Sequence, residues 1–167
     1  MREQGERHRK MGASKIQNEV AMLRSLPMFA NMPAPKLKLL AFASDRVTFR
    51  AGEVLFRQGD DGDAAYIIIE GRAEILVSAG EHDVKVAEVG ENAFVGDMGV
   101  ISDMPRTATV RALDDLVTLR IRKDHMMEMV RESQELALAV LREVVERLAR
   151  TTRDLSAARA EIEELKG

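Results

Sequence analysis

The sequence contains no cysteine at all. Disulfide bonds, thiolate metal sites and a cysteine nucleophile are therefore excluded. The absence also fits a reducing compartment, because proteins of oxidising surroundings often depend on disulfides. Together with the lack of a membrane-spanning run and of a signal peptide, it leads us to expect a cytoplasmic protein.

Long apolar runs and aromatic residues are scarce as well. The longest runs, such as YIIIE at residues 66–70, are far too short to cross a bilayer, and residues 1–15 lack the apolar centre of a signal peptide. Aromatic residues make up 4% of the chain, which is low for a surface that stacks single-stranded bases. The net charge of -3 gives no overall attraction to nucleic acid or to an anionic membrane. We therefore expect neither a membrane nor a nucleic-acid partner.

Catalytic and metal-binding motifs are missing too. The sequence has no Walker-type Gly-Lys-Ser/Thr, no Gly-x-Ser-x-Gly and no dinucleotide fingerprint after a predicted strand. The stretch GDDGD at residues 59–63 invites a calcium reading. However, a calcium loop numbered from Asp60 would place Gly62, Ala64 and Gly71 where oxygen-bearing side chains are required. The sequence thus predicts a protein that is not an enzyme and binds no metal.

The composition is that of a folded domain. Hydrophobic residues make up 46% and charged residues 32% of the 167 positions, which suits one domain with a full core and an appended element. We divide the chain into a basic, flexible N-terminus at residues 1–13, a domain at residues 14–131 and a C-terminal coiled-coil helix at residues 132–167. The first fifteen residues carry five Lys/Arg and two Glu, which indicates a frayed terminus or, alternatively, a basic arm.

The middle of the chain alternates in the manner of short β-strands. A short helix is predicted over residues 14–23, with Ser14 as its N-cap, and a second helix begins after Asn31. From Ser44 the apolar period changes from about 3.6 to about 2, and about eight short runs follow, separated by turns rich in Gly and Asp. This pattern predicts a mainly β fold with flanking helices, as an antiparallel sandwich, roll or barrel.

Residues 124–166 contain no proline or glycine and are predicted to be helical. Residues recur there at coiled-coil spacing: Leu141, Leu148, Leu155 and Ile162 at a, with Val144, Thr151, Ala158 and Leu165 at d. The flanking positions of a parallel dimer carry opposite charges: Asp154 and Glu161 at g, Arg159 and Lys166 at e. We predict a parallel homodimer through residues 134–166. The alternative is one amphipathic helix lying on its own β domain.

Residues 95–110 (VGDMGVISDMPRTATV) interrupt the β pattern with a candidate binding site. Gly96 and Gly99 permit close backbone approach, and a helical turn starting near Asp97 would aim its free N–H groups at one point, as in anion sites. The planar guanidinium of Arg106 suits two phosphate oxygens. The carboxylate of Asp97 accepts hydrogen bonds and suits a hydroxyl such as a ribose 2′-OH. These residues suggest a sugar phosphate or nucleotide, although many β-hairpins could carry the same turn.

Taken together, several segments of the sequence resemble a cyclic-nucleotide-binding domain. They are AGEVLFRQGD at residues 51–60, AYIIIEG at 65–71, FVGD at 94–97 and PRTATVRA at 105–112. Their order and spacing match that family, and the resemblance covers roughly residues 20–153. It implies an eight-stranded antiparallel β-roll (jelly-roll-like) with N-terminal helices and a long C-terminal dimerisation helix. It also implies a cyclic-nucleotide ligand, with cAMP as the first expectation and cGMP as the alternative.

By this resemblance, the ligand is held in a phosphate-binding cassette. Its expected residues are Val95, Gly96, Asp97, Met98, Arg106 and Thr107. Arg106 matches the arginine that neutralises the cyclic phosphate, and Asp97 stands where the family usually has the glutamate that holds the ribose hydroxyl. Aspartate is one methylene shorter, so we expect a closer cassette, a bridging water or a reduced affinity.

The resemblance is strongest to the sensor domain of bacterial dimeric cAMP receptor proteins (catabolite activator type). In these, the helix after the roll closes the pocket and binds the adenine, and RLARTT at residues 147–152 resembles that stretch. We expect Arg147 to reach Asp97, and Thr151 or Thr152 to bind the adenine amino group.

Those transcription factors continue into a helix-turn-helix domain, whereas this sequence stops at Gly167. We therefore expect a stand-alone, non-catalytic sensor that signals through its homodimer helix to an unknown protein partner. The alternatives are a dimerisation module with a degenerate pocket and the sensor part of a truncated transcription regulator.

Overall fold

The computed structural model describes residues 2–167 of the chain. The elements are α1 (Arg2–Ser25), α2 (Ala34–Ala43), β1 (Asp45–Phe49), β2 (Val54–Phe56), β3 (Ala64–Glu70), β4 (Ala73–Ala79), β5 (His82–Val89), β6 (Phe94–Val95), α3 (Asp97–Ile101), β7 (Thr109–Ala112), β8 (Leu116–Arg122), α4 (Lys123–Glu132) and α5 (Gln134–Lys166). Among the helices in this range, none is long and apolar enough to cross a membrane.

The strands form a β-roll. Two four-stranded sheets have the orders β1-β8-β3-β6 and β2-β7-β4-β5, and their strand pairs are antiparallel. Only β4 and β5 are neighbours both along the chain and within a sheet. Most strand pairs therefore join distant parts of the sequence, as in a jelly roll. The predicted fold, an eight-stranded antiparallel β-roll with flanking helices, is confirmed.

Two hydrophobic cores lie on opposite faces of β3. Ile67 is buried in the first core, which joins the sheet containing β3 to α1, α2, α4 and the start of α5. Ile68 is buried in the second, which fills the inside of the roll. Successive strand residues point to opposite faces, so a strand between two cores must be apolar on both. This explains the unbroken run of isoleucines in β3.

The N-terminal helix is longer than predicted. Helix α1 begins at Arg2, so residues 2–13 are helical, and the flexibility that we predicted for residues 1–13 stays a prediction; Met1 lies outside the described residues. Ser14 falls inside this helix and does not cap it. Among the α1 side chains whose burial the structure describes, residues 12–25, Leu23 is buried in the main core and Ile16 and Val20 are half-buried against it. These buried and half-buried positions are the apolar residues whose spacing predicted the helix.

The predicted helix at residues 124–166 is divided at Ser133. Helix α4 ends because the backbone of Ser133 is extended, with φ -124° and ψ 104°, while its N–H still donates to Met129 O at 3.0 Å. The Oγ of Ser133 accepts from Leu136 N at 3.2 Å and so caps the start of α5. A serine N-cap satisfies the first free N–H groups of a helix without any proline or glycine. The boundary that we placed at residue 132 falls next to this break.

Helix α5 extends well beyond the roll. Residues 151–167 are all exposed in the single chain. The exposed large apolar side chains of α5 are Leu138, Leu141, Val145, Leu148, Leu155, Ile162 and Leu165. This set includes every predicted a position, whereas Val144 at d is half-buried. The second half of α5 does not lie on its own β domain, contrary to the alternative considered above.

A chain of ion pairs crosses the sheet β2-β7-β4-β5. It links Asp114, Arg72, Glu88, Lys85, Glu74 and Arg111 in that order. Glu74 is the buried member, with 8% exposure, and it accepts from Arg111 Nε at 2.7 Å.

We expect Glu74→Ala to lower the free energy of unfolding by about 2 kcal/mol, because it removes a buried, charge-assisted hydrogen bond. Glu88→Ala, which removes an exposed carboxylate from the middle of the same network, is the control and should cost about 0.5 kcal/mol. Urea denaturation measures both. Equal losses in the two variants would contradict the special role of the buried carboxylate.

Candidate functional site

A cavity of about 530 Å³ lies between the roll and α5, and its volume is typical of small-molecule sites. The roll side includes residues 92–99, Arg106, Thr107, Phe56, Ile75 and Val89, and the turn at residues 26–29 closes one side. The helix side consists of Ala139, Arg142, Glu143, Glu146, Arg147 and Arg150. The cavity is therefore lined both by the candidate segment at residues 95–107 and by the C-terminal helix, which the sequence predicted to close the pocket.

Arg106 lies inside the roll, with 3% exposure. Its Nη1 donates to Gly96 O at 2.8 Å, and its Nη2 donates to Ala64 O at 2.5 Å and to Asp63 Oδ1 at 3.4 Å. The guanidinium also lies over the Phe56 ring, with its central carbon 4.0 Å from the ring centroid. The buried Nε has no hydrogen-bond partner among the described residues. A buried donor without an acceptor is costly, and an anion in the cavity would provide one.

Burial lowers the pKa of the Arg106 guanidinium, because desolvation outweighs the attraction of the carboxylate of Asp63. An arginine nevertheless keeps its charge in proteins. The main chain of Arg106 is also held in place. Its N–H donates to Asp60 O at 2.8 Å, and its carbonyl accepts from Gly59 N at 2.8 Å. The charge is thus fixed at the cavity before any ligand arrives.

Gly96 provides the space that Arg106 occupies. Its φ of 81° is left-handed, and a Cβ at this position would lie 2.6 Å from Arg106 Nη1 and 3.1 Å from the Phe56 ring. A side chain here would therefore both strain the backbone and displace the guanidinium. Helix α3 starts directly afterwards at Asp97, where the sequence predicted a helical turn.

Asp97 is the second buried charge of the site, with 1% exposure. Its Oδ1 accepts from Arg147 Nη1 at 2.8 Å, which is the contact that we expected from the sequence. Its Oδ2 is buried and has no hydrogen-bond partner among the described residues. A carboxylate oxygen accepts and cannot donate, so it suits a hydroxyl of the ligand.

Arg147 connects this carboxylate to α5. Desolvation opposes its charge, yet the hydrogen bond and the negative charge of Asp97, together with Glu143, raise the pKa of Arg147 overall. Glu143 lies one helical turn earlier, with Oε1 3.5 Å from Arg147 Nη2. The position of α5 is therefore linked electrostatically to the first residue of α3.

The other predicted residues divide into two groups. Val95, Met98 and Thr107 line the cavity, as expected for the cassette. Thr151 and Thr152 do not line it within one chain: both are exposed, and their hydroxyls donate to Arg147 O and Leu148 O of their own helix. Their predicted contact with adenine stays a prediction that needs a second chain.

Several lining residues were missed by the sequence interpretation. They are Phe56, Arg142, Glu143, Glu146 and Arg150. The helical residues among them lie three or four positions apart along the face that carries Arg147, so a helical projection from Arg147 could have found them. The sequence did not show that Phe56 lines the cavity, because an apolar strand residue can pack anywhere in a core. Across the described residues, no group of three or more His, Cys, Asp and Glu is arranged to hold a metal ion.

Comparison with known proteins agrees with this geometry. The model of the cyclic nucleotide-binding domain family matches residues 46–133. The chain is 31% identical over 104 residues to the cAMP-dependent protein kinase regulatory subunit of Emericella nidulans, covering 62% of this chain and 25% of that protein. It is 33% identical over 137 residues to an NTE family protein of Mycobacterium bovis, covering 82% and 23%. This chain thus spans about a quarter of the length of these relatives.

A solved structure shares the fold. The regulatory domain of Toxoplasma gondii PKA, co-crystallised with cAMP, superposes with a TM-score of 0.74 at 21% identity, over 82% of this chain and 52% of that chain. At this identity the similarity establishes the fold alone.

Proposed function

We propose that this chain, which belongs to the cyclic nucleotide-binding domain family, is a non-catalytic sensor for a cyclic mononucleotide. The observation that carries the proposal is the pair Arg106 and Asp97. Both are buried at one cavity, they have opposite charges, and each has a buried polar atom without a partner among the described residues. A cyclic phosphate beside a ribose hydroxyl provides an acceptor for the first and a donor for the second.

cAMP is the ligand that we assign first. The support is the 31% identity to a protein named as a cAMP-dependent protein kinase regulatory subunit. Arg106 and Asp97 would hold the phosphate and sugar that cAMP shares with cGMP, so these two residues cannot discriminate between the bases. We assign that discrimination to the residues of α5 that line the cavity and to Thr151 and Thr152.

We further propose that the sensor is a parallel homodimer through residues 134–166. The apolar side chains at the a positions are exposed in one chain, and pairing with a second copy would bury them. Thr151 and Thr152 would then approach the adenine in the cavity of the other copy. The Asp97–Arg147 ion pair would couple ligand binding to the orientation of α5.

The output of this coupling would be a changed surface for a protein partner, in a cytoplasmic setting. A ligand shifts such an equilibrium only by its differential affinity for the two states. The charged side chains of α5 would move with the helix, so the surface that they form would differ between the two states.

Calorimetric titration with cAMP, cGMP and linear AMP tests the proposed function. We expect cAMP to bind most tightly and to raise the melting temperature, because a ligand that binds only the folded state stabilises it by about 2.7 kcal/mol at a hundred times its dissociation constant. Linear AMP, which has a doubly charged phosphate and no ring, should bind much more weakly. Failure of both cyclic mononucleotides to bind at millimolar concentration would contradict the proposal.

Asp97→Asn is expected to weaken cAMP binding about tenfold, because the variant loses a charged acceptor for the ligand hydroxyl and weakens the hold on Arg147. Calorimetry measures the change. Asp45→Asn in β1 removes an exposed carboxylate that does not line the cavity and is the control. Equal affinities of the two variants would show that Asp97 does not contact the ligand.

A second candidate function is a dimerisation module whose pocket has lost its ligand. One observation favours it: Asp97 is already paired with Arg147, and Arg106 already contacts Asp63. The charges at the cavity are thus partly balanced by the protein itself. The same titrations distinguish the two functions, since a degenerate pocket would leave the melting temperature unchanged by every nucleotide.

A further inference from the structure

The loop at residues 57–63, between β2 and β3, lies between the candidate cassette and α4. We propose that this loop positions Arg106 and carries a displacement of the cassette to the first residue of α4. The proposal rests on nucleotide binding at Arg106. It adds to the Asp97–Arg147 ion pair a second connection between the ligand and the C-terminal helices, made of main-chain contacts.

On the cassette side, the loop is joined to two segments. The N–H of Arg106 donates to Asp60 O at 2.8 Å, and Gly59 N donates to Arg106 O at 2.8 Å, so the loop and Arg106 exchange hydrogen bonds as strands do. Gly62 lies directly against Gly99 of α3, and a Cβ on Gly62 would overlap the Gly99 carbonyl. Gly62 does not have a positive φ, so space alone excludes a side chain there.

On the α4 side, the loop ends at Asp63, whose carbonyl accepts from Lys123 N at 2.9 Å. Lys123 is the first residue of α4, and its Nζ forms an ion pair with Asp103 in the segment that leads from α3 to Arg106. Asp103 has a left-handed φ of 53°, which is uncommon for a residue other than glycine. Lys123 therefore touches both segments that flank Arg106 in space.

Helix α4 continues this connection toward α5. Met126, one turn after Lys123, is fully buried in the main core, and α4 ends at the Ser133 break where α5 begins. A shift of the loop against Gly99 and Arg106 would thus reach the start of α5 through one short helix.

The main-chain bond can be removed by itself. Lys123→Pro deletes the N–H donor, and proline is tolerated at the first helical position. Arg122 already has the extended conformation, with φ -68° and ψ 147°, that a residue before proline requires. Lys123→Met is the matched control, because it keeps the N–H and loses only the ion pair with Asp103. The readouts are amide hydrogen exchange of α4 and of the start of α5, with and without cAMP, and cAMP affinity by calorimetry.

We expect cAMP to change the exchange of these helices equally in the native protein and in Lys123→Met. In Lys123→Pro the cAMP-induced change in exchange should be at least threefold smaller. The circular dichroism spectrum of this variant should still be that of a folded protein. An undiminished response in Lys123→Pro would overturn the proposal, whereas its loss in that variant alone would support it.

Gly62→Ala tests the other end of the loop. We expect cAMP affinity to fall about tenfold or more, because the loop must lift away from Gly99 and carry Arg106 with it. Gly90→Ala is the control: its φ is not positive either, and its Cβ would meet only ordinary contacts of 3.9 to 4.0 Å. Unchanged affinity in Gly62→Ala would overturn the positioning role.

The link and the proposed function can fail separately. Without any nucleotide, Gly62→Ala should accelerate exchange of the Lys123 amide at least threefold relative to Gly90→Ala, as measured by nuclear magnetic resonance. If the native protein binds no cyclic nucleotide but this acceleration occurs, the proposed function fails and the mechanical link stands. If cAMP binds but the Lys123 amide is unaffected, the link fails.

Discussion

Arg106→Ala is expected to lower cAMP affinity by more than a hundredfold. Hydrogen bonds to a charged group contribute about 1.5 to 3 kcal/mol each, and the buried guanidinium can make more than one to a phosphate, so a loss of about 3 kcal/mol or more follows. The site offers no replacement, because Arg106 is the guanidinium on the roll side of the cavity and Arg147 is already paired with Asp97. Isothermal titration calorimetry measures the loss.

The same substitution also removes hydrogen-bond donors from Gly96 O and Ala64 O. Each buried carbonyl left without a donor costs about 1 to 3 kcal/mol, so stability must be measured in parallel by urea denaturation. Arg106→Lys keeps the charge but lacks the planar fork, and we expect an intermediate affinity. Arg122→Ala removes an exposed arginine of β8 and should bind like the native protein. A folded Arg106→Ala variant with affinity within threefold of the native value would disprove the assignment of the phosphate site.

The second large effect is expected at the coiled-coil seam. The double variant Leu148→Glu with Leu155→Glu should convert the proposed dimer to a monomer. These leucines are 64% and 53% exposed in the single chain. Burial of one leucine contributes about 1.5 to 3 kcal/mol, which a dimer gains twice at each position, and glutamates facing each other would repel. Light scattering coupled to size-exclusion chromatography measures the mass.

A control for this variant is the pair Ala149→Glu and Ala157→Glu. Both alanines are exposed, and both lie outside the a and d positions. This pair should remain dimeric. If the dimer supplies Thr151 or Thr152 to the cavity, the seam variant should also bind cAMP several-fold more weakly, whereas the control should not. The predicted homodimer would be contradicted if the native protein were still a monomer at 100 times the protein concentration used in the cAMP calorimetry.

Much of the fold could be predicted because its signals are local. The change of apolar period at Ser44 and the turn residues between the runs located the strands of the roll, which the structure confirms. The helical turn at Asp97 was likewise visible, since glycine and aspartate mark a helix start there. The helix ends were less accurate. The apolar period that predicted the first helix begins at Ile16, although α1 begins at Arg2, and the break at Ser133 needs no glycine or proline.

The candidate site was predicted by residue type and only in part by position. Arg106, Asp97 and Arg147 were singled out, and the structure brings all three to one cavity. The roles assigned to them with cAMP stay predictions, as do those of Thr151 and Thr152. The remaining wall of α5 was not foreseen, because which face of a helix meets a cavity depends on how that helix packs against a roll formed elsewhere in the chain.

By itself, the sequence determined the kinds of elements, their order and the chemistry of the segment at residues 95–110, because propensity, periodicity and turn preference act between near neighbours. Only the tertiary structure decided that β1 pairs with β8, that Arg106 is buried against Phe56, and that the loop at residues 57–63 contacts both Gly99 and Lys123. Each of these contacts joins residues far apart in the chain. An apolar pattern states that a face must be buried, and only packing determines which partner buries it.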